Sequence, residues 1–144
     1  MNRKIFGLAV TLLMTSVAFA SGILMPDLKA NIPFDFHVGG KNMPAGEYKI
    51  LQTSTPGVLK LSAIDFTANA VVITRTETCT KAAKANRLDF RKYGNQYFLG
   101  AVLVEGANTS RYIPVSSEER KTADRSRFLA GHEVAPEIVS ISCQ

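Results

Sequence analysis

Asp35 and His37 are the residues best placed, by type and spacing, to move a proton. They stand two apart in a stretch that reads as a strand, so their side chains share a face roughly 7 Å apart. Ser62, or a threonine from a neighbouring strand, would complete a nucleophile–histidine–carboxylate set suited to hydrolysis. No GxSxG or comparable nucleophile motif accompanies the pair. The same alternation also lets both face water, opposite Phe34 and Phe36. They stand as catalytic candidates against that plainer reading.

The remaining reactive side chains are scattered. His132-Glu133 could offer a ligand or a base, but HxH, HExxH and carboxylate clusters are absent, and solvated loop residues are expected there. Two distant cysteines and two histidines fit no zinc spacing, so no metal is expected, and nothing implies another cofactor. Arg111, Arg120, Lys121, Arg125 and Arg127 form a local basic cluster. A solvated helical face explains it. The functional alternative is an anionic polysaccharide, a lipid headgroup or an acidic protein, with Arg120, Lys121 and Arg125 as binding candidates. Tyr97 is a further binding candidate, since Tyr48, Tyr93, Tyr97 and Tyr112 could line a ligand face; tyrosines also commonly rim a core. Aromatics are sparse around the basic cluster, which argues against nucleic acid. Asn108-Thr109-Ser110 matches a glycosylation sequon, and its plainer reading is an exposed turn.

Period-2 alternation places most of these residues on short strands. Ala30 to Val38 alternates Ile32, Phe34, Phe36 and Val38 with Pro33, Asp35 and His37. Pro33 cannot donate to a ladder, which suits an edge strand or an irregular start. Gly39-Gly40 stops this strand, Lys41 to Gly46 reads as a turn, and Glu47 to Gln52 returns as its hairpin partner. Val58 to Ile64 follows the Pro56-Gly57 turn, with Leu59 and Leu61 inward. Asn69 to Cys79 is β-branched and rich in threonine, and Thr80 to Asn86 is a loop. Leu88 to Val104 forms a hairpin about Gly94-Asn95, a sequence suited to a type II′ turn. That turn pairs Phe90 with Leu99, Lys92 with Tyr97 and Leu88 with Ala101, leaving Arg91, Phe98, Tyr93 and Gln96 on the other face. A one-residue slip would turn Arg91 and Asp89 inward.

Tyr112 to Val115 is another short strand. Ser116-Ser117-Glu118-Glu119 reads as a capping box, with Glu119 reaching back to Ser116. The helix it opens runs to about Phe128 and is ended by Gly131. Its anchors are only Ala123, Phe128 and Leu129, so it lies on the surface. Val134 to Cys143 supplies the last strand. The expected fold is all-β: one antiparallel sandwich or small barrel of about seven or eight strands, with at most one short helix near 116–128.

The N-terminal residues bear on location. Arg3 and Lys4 precede an apolar run from Ile5 to Phe19, and Ala18-Phe19-Ala20 supplies the small-x-small pattern of signal-peptide cleavage before Ser21. The run is about 15 residues, short of the roughly 20 needed to span a bilayer. No cysteine follows it to carry a lipid, and no later stretch is apolar enough to cross. Residues 1–20 thus read as a signal peptide and 21–144 as one exported domain, periplasmic or extracellular. Of 17 basic and 12 acidic residues, cleavage removes Arg3 and Lys4, leaving a formal charge of +3, too mild for a nucleic-acid footprint. Cys79 and Cys143 remain, and an oxidising compartment favours one bridge between them.

The run from Ala30 to Ile50, IPFDFHVGG followed by PAGEY, resembles a family of small exported proteins of unknown function from acidobacterial-type bacteria. Those proteins share an IPFDFxVG…PAGxY hairpin behind a signal peptide. Tyr93 to Leu99 and Ser116 to Arg120 are similar to further patches of the family. The resemblance implies an exported β-rich domain and carries over no activity or catalytic residue. The expected function is an exported, non-enzymatic β-domain that binds an envelope component, a small ligand or a protein partner. The alternatives are an extracytoplasmic hydrolase using Asp35 and His37, and a purely structural envelope protein.

Overall fold

Alternating apolar residues drive the chain into short strands whose inward sides share one core. The computed structural model describes residues 25–144. The expected signal peptide, residues 1–20, and its expected Ala20–Ser21 cleavage point lie outside the described residues. One sheet holds β1 (Leu28–Ile32), β4 (Gly46–Gln52), β5 (Val58–Ala63) and β6 (Asn69–Ile73), in that spatial order and antiparallel throughout. The other runs β11 (Glu137–Ser142), β8 (Arg87–Tyr93), β9 (Gln96–Leu103), β10 (Thr109–Tyr112), β7 (Arg75–Thr78). A small hairpin of β2 (Phe36–Val38) and β3 (Lys41–Met43) hangs on β9 through a parallel pairing of His37 with Phe98.

The inner faces meet through Leu28, Ile32, Tyr48, Ile50, Leu59 and Leu61 on one side and Phe36, Leu88, Phe90, Leu99 and Val102 on the other. Edge-on aromatic contacts seat the centre: Phe36 lies 5.2 Å from Tyr48 and 5.4 Å from Phe90, between ring centroids. The architecture is an all-β sandwich rather than a barrel. The sheets are stitched along one seam, where the Lys29 amide donates to the Gln144 carbonyl and the Gln144 amide donates back, both at 2.9 Å.

Eleven strands appear because two expected strands change sheets midway and one expected turn is itself a strand. Ala30 to Val38 is broken at Pro33, whose missing N–H ends pairing with β4; β2 then joins the opposite sheet. Asn69 to Cys79 is broken at Thr74, whose amide (2.7 Å) and hydroxyl (3.0 Å) both donate to the Gly57 carbonyl. Lys41 to Met43 pairs with β2 across Gly39 (φ 55) and Gly40 (φ 80), the two positive angles of a type I′ turn. The strand expected at Tyr112 to Val115 runs instead over Thr109–Tyr112. The β8–β9 hairpin keeps the expected pairs near its turn, Phe90 with Leu99 and Lys92 with Tyr97. A bulge then shifts Leu88 onto Val102 instead of Ala101.

The helix is α1 (Ser117–Ala130), capped by Ser116, whose Oγ accepts from the Glu119 amide at 3.1 Å, and closed by Gly131 at φ 69. No helix among the described residues is long and apolar enough to cross a membrane.

The expected Cys79–Cys143 bridge is not formed, and both cysteines are free thiols. The topology explains why. Cys79 follows β7 and Cys143 follows β11, the two opposite edges of the second sheet. Four strand spacings separate these edges, roughly 19 Å, against the roughly 7 Å limit for bridged Cα atoms.

Two predictions come from this frame. Phe66, 87% exposed in the β5–β6 turn, holds φ 61, the left-handed region that disfavours a side chain. Phe66→Gly should raise stability by about 1 kcal/mol in urea unfolding, since no buried contact is lost; no gain would mean that the angle stores no strain. Burial pushes the Cys143 thiol from 9.0 up to about 11. Its contribution is therefore complete below pH 9.0 and lost as pH rises through about 11. Denaturation between these pH values should show a loss on the order of 2 kcal/mol that Cys143→Ala abolishes.

Candidate functional site

Helix α1 has almost no apolar stripe with which to hold the sheet. Phe128 and Leu129 are 86% and 79% exposed, so two of its three expected anchors do not anchor it. Charge fixes it instead. Glu119 is the buried residue of the helix, at 1% exposure, and its carboxylate meets Arg91 of β8. Arg91 Nε donates to Oε1 at 2.5 Å and Nη2 to Oε2 at 2.9 Å, a side-on bidentate pair. Nη2 also donates to the Ile113 carbonyl at 3.1 Å, and the Tyr93 hydroxyl reaches Glu119 at 3.4 Å. The capping box is thus half as expected: the Glu119 amide binds Ser116, while its carboxylate turns inward to Arg91.

The sheet is shaped around this pair. Arg91 lies across Gly100, where an added Cβ would sit 2.9 Å from Nη1 and 3.3 Å from Cγ. Gly100 is the extra residue of the β9 bulge, and its carbonyl accepts from the Ile113 amide at 2.8 Å. The Tyr112 ring lies 5.4 Å from the guanidinium. Burial alone would lower the pKa of Arg91, but the hydrogen bond and charge of Glu119 outweigh it and hold the guanidinium above its ordinary value. Burial, then the Glu119 charge, raises the Tyr93 phenol. Arg91 lies, as the hairpin register implies, on the face of β8 opposite Phe90 and Leu99. That face is covered by α1, and the residue is buried.

The sequence candidates are dispersed. Asp35 accepts from the Ala45 amide at 2.8 Å, shaping the turn before β4. His37 stacks on Phe98 at 4.8 Å, with Nδ1 3.6 Å from Glu118 and no hydrogen-bond partner among the described residues. No Asp35–His37 hydrogen bond forms, and Ser62 lies in the other sheet, opposite Lys49 and Asn69. The gap between His37 and the start of α1 is about 10 Å³, room for one water at most. Tyr97 stacks on Phe34 at 3.9 Å on the core side of the hairpin, away from α1. His132 contacts the Ala130 carbonyl and Glu133 pairs with Arg127, with no metal-holding group among the described residues.

The basic cluster contracts to the helix. Arg111 sits on β10 and donates to Thr76 at 2.6 Å, while Arg127 pairs with Asp124 and Glu133. Arg120, Lys121 and Arg125 are exposed, and no carboxylate pairs with them among the described residues. Lys121 and Arg125, four apart, share one helix face. With Glu118 they border an open notch of about 230 Å³ against Gln96 at the start of β9, where Thr122 donates to Gln96 at 2.9 Å. A larger groove of about 370 Å³ crosses the outer face of the first sheet, between Lys29, Lys49, Lys60, Leu51 and Phe66. Lys49 is already met there by Asp27 at 3.0 Å.

Comparison with known proteins finds no matching family model, no matching curated protein and no matching solved structure.

Removing one partner of a buried pair strands the other charge, whereas replacing both by apolar residues of similar volume need not. Glu119→Ala should therefore cost about 3–5 kcal/mol and release α1 to hydrogen exchange. Arg91→Met/Glu119→Leu should recover most of that in denaturant unfolding. A double variant as unstable as the single would show that the pair contributes more than avoided desolvation.

Proposed function

We propose that the chain is an exported, non-enzymatic β-domain that binds an anionic component of the cell envelope through the outer face of α1. The supporting observation is a rigid mount beneath unpaired charge. Arg91 and Glu119 hold the helix by one bidentate contact, while Arg120, Lys121 and Arg125 stand outward without acidic partners among the described residues. Cations held in place lose less freedom on binding than cations on a mobile loop. An envelope location is supported by the export reading of residues 1–20 and by the resemblance of the Ala30 to Ile50 hairpin to small exported proteins.

The hydrolase reading has little behind it. Asp35 is engaged with a backbone amide, and His37 has neither a hydroxyl partner nor space beside it for a substrate.

Retention on an immobilised polyanion, with heparin as the probe, tests the proposal. Arg120→Ala/Lys121→Ala/Arg125→Ala should elute at markedly lower salt than the parent chain. Asp35→Ala and His37→Ala should co-elute with it. Equal retention of the triple variant would remove the helix from the reading, and ester or glycoside turnover abolished by His37→Ala would replace it with the hydrolase.

A further inference from the structure

Phe128 lies nine residues beyond Glu119, about two and a half helical turns, so the two project from opposite sides of α1. Glu119 is buried against the sheet, and Phe128 accordingly faces away from it at 86% exposure. Leu129, 79% exposed, follows Arg125 by one turn, and Lys121, Arg125 and Phe128 fall at i, i+4 and i+7 along the outer face. The side against the sheet is small and polar, with Glu119, Ala123 and Ser126. Phe128 and Leu129 therefore have no place in the core, and their exposure follows from how the helix is seated.

We propose that the anionic component is the surface of a phospholipid bilayer, with α1 lying on it and Phe128 and Leu129 entering the boundary between headgroups and acyl chains. This rests on α1 being the binding face. A soluble polyanion would satisfy Arg120, Lys121 and Arg125 but would leave two large apolar side chains in water. An anionic bilayer complements both sets at once, as it does for interfacial helices with cations flanking exposed Phe and Leu. The groove on the first sheet has the weaker claim. Asp27 neutralises Lys49 and Glu47 lies beside Lys29; on α1, Glu118 borders the notch of Lys121 and Arg125 without pairing with either, and Asp124 is taken up by Arg127.

The test is co-sedimentation of the exported chain with vesicles of phosphatidylcholine containing about one part in three phosphatidylglycerol. The chain should pellet with these vesicles and stay in the supernatant with phosphatidylcholine alone. Phe128→Ser/Leu129→Ser should lower the partition coefficient by about tenfold or more while leaving heparin retention unchanged. Arg120→Ala/Lys121→Ala/Arg125→Ala should weaken both. All five positions are exposed, and circular dichroism of each variant should match the parent. Heparin retention without vesicle binding would overturn the bilayer and leave the anion-binding reading standing. Absence of both would overturn both. Vesicle binding that survives Phe128→Ser/Leu129→Ser, or self-association through these residues in place of vesicle binding, would overturn the insertion.

Discussion

The buried Arg91–Glu119 pair is the contact on which the outer half of this molecule depends. A helix without an apolar stripe has no hydrophobic reason to lie in one place, and α1 could slide or rotate over the sheet at little cost. A bidentate ion pair permits one position only, because two parallel hydrogen bonds fix both distance and angle. Taking both charges from water is expensive, so the pair contributes more to uniqueness than to net stability. Its demands spread outward. Gly100 must lack a side chain because Arg91 lies over it, and the β9 bulge frees a carbonyl there. Ile113 lends its own carbonyl to the guanidinium, and Ser116 sets the helix entry so that Glu119 points inward.

The inner half follows a different logic. Pro33 lets a single apolar run serve both sheets, and Thr74 lets a second run pass from apolar β6 to exposed β7. Ile32 faces the core from β1, and Phe36 and Val38 face the same core from the opposite side. The side-chain alternation keeps its phase through the break, so inward residues stay inward although the strand has moved. Thr74 manages the second crossing by placing its amide and hydroxyl on one carbonyl, which leaves its backbone satisfied where it belongs to neither sheet.

How much of this could be read from the sequence depends on the range of the interaction. Local features were readable: the Gly94-Asn95 hairpin pairs near its turn, Ser116 as the helix cap, Gly131 as its stop and Leu59 and Leu61 as core residues. Pro33 was visible as a disturbance, but not as a change of sheet, since alternation carries the face of a residue and not its partner strand. Glu119 was visible but expected at the helix cap, and Arg91 keeps its expected face while its partner was hidden. Arg91 had the outward parity of its strand, and nothing local says that another element will cover that side. A buried ion pair between positions 28 apart leaves no periodic signal. The one available clue was negative: a well-capped helix too poor in apolar residues to dock by hydrophobic contact. The disulfide failed for the same reason. Compartment and cysteine count describe chemistry, whereas strand order decides distance.

The exchange of backbone hydrogen bonds between Lys29 and Gln144 has a consequence for the order in which this chain can fold. The strand that opens the described chain acquires its outer partner only when the residues after β11 arrive. Contacts between such distant positions slow folding, because the loop they close must be ordered first. Until then β1 presents an unpaired edge, the feature of a nascent sheet most prone to join the wrong chain. The last residues to be made are therefore the ones that close the first edge.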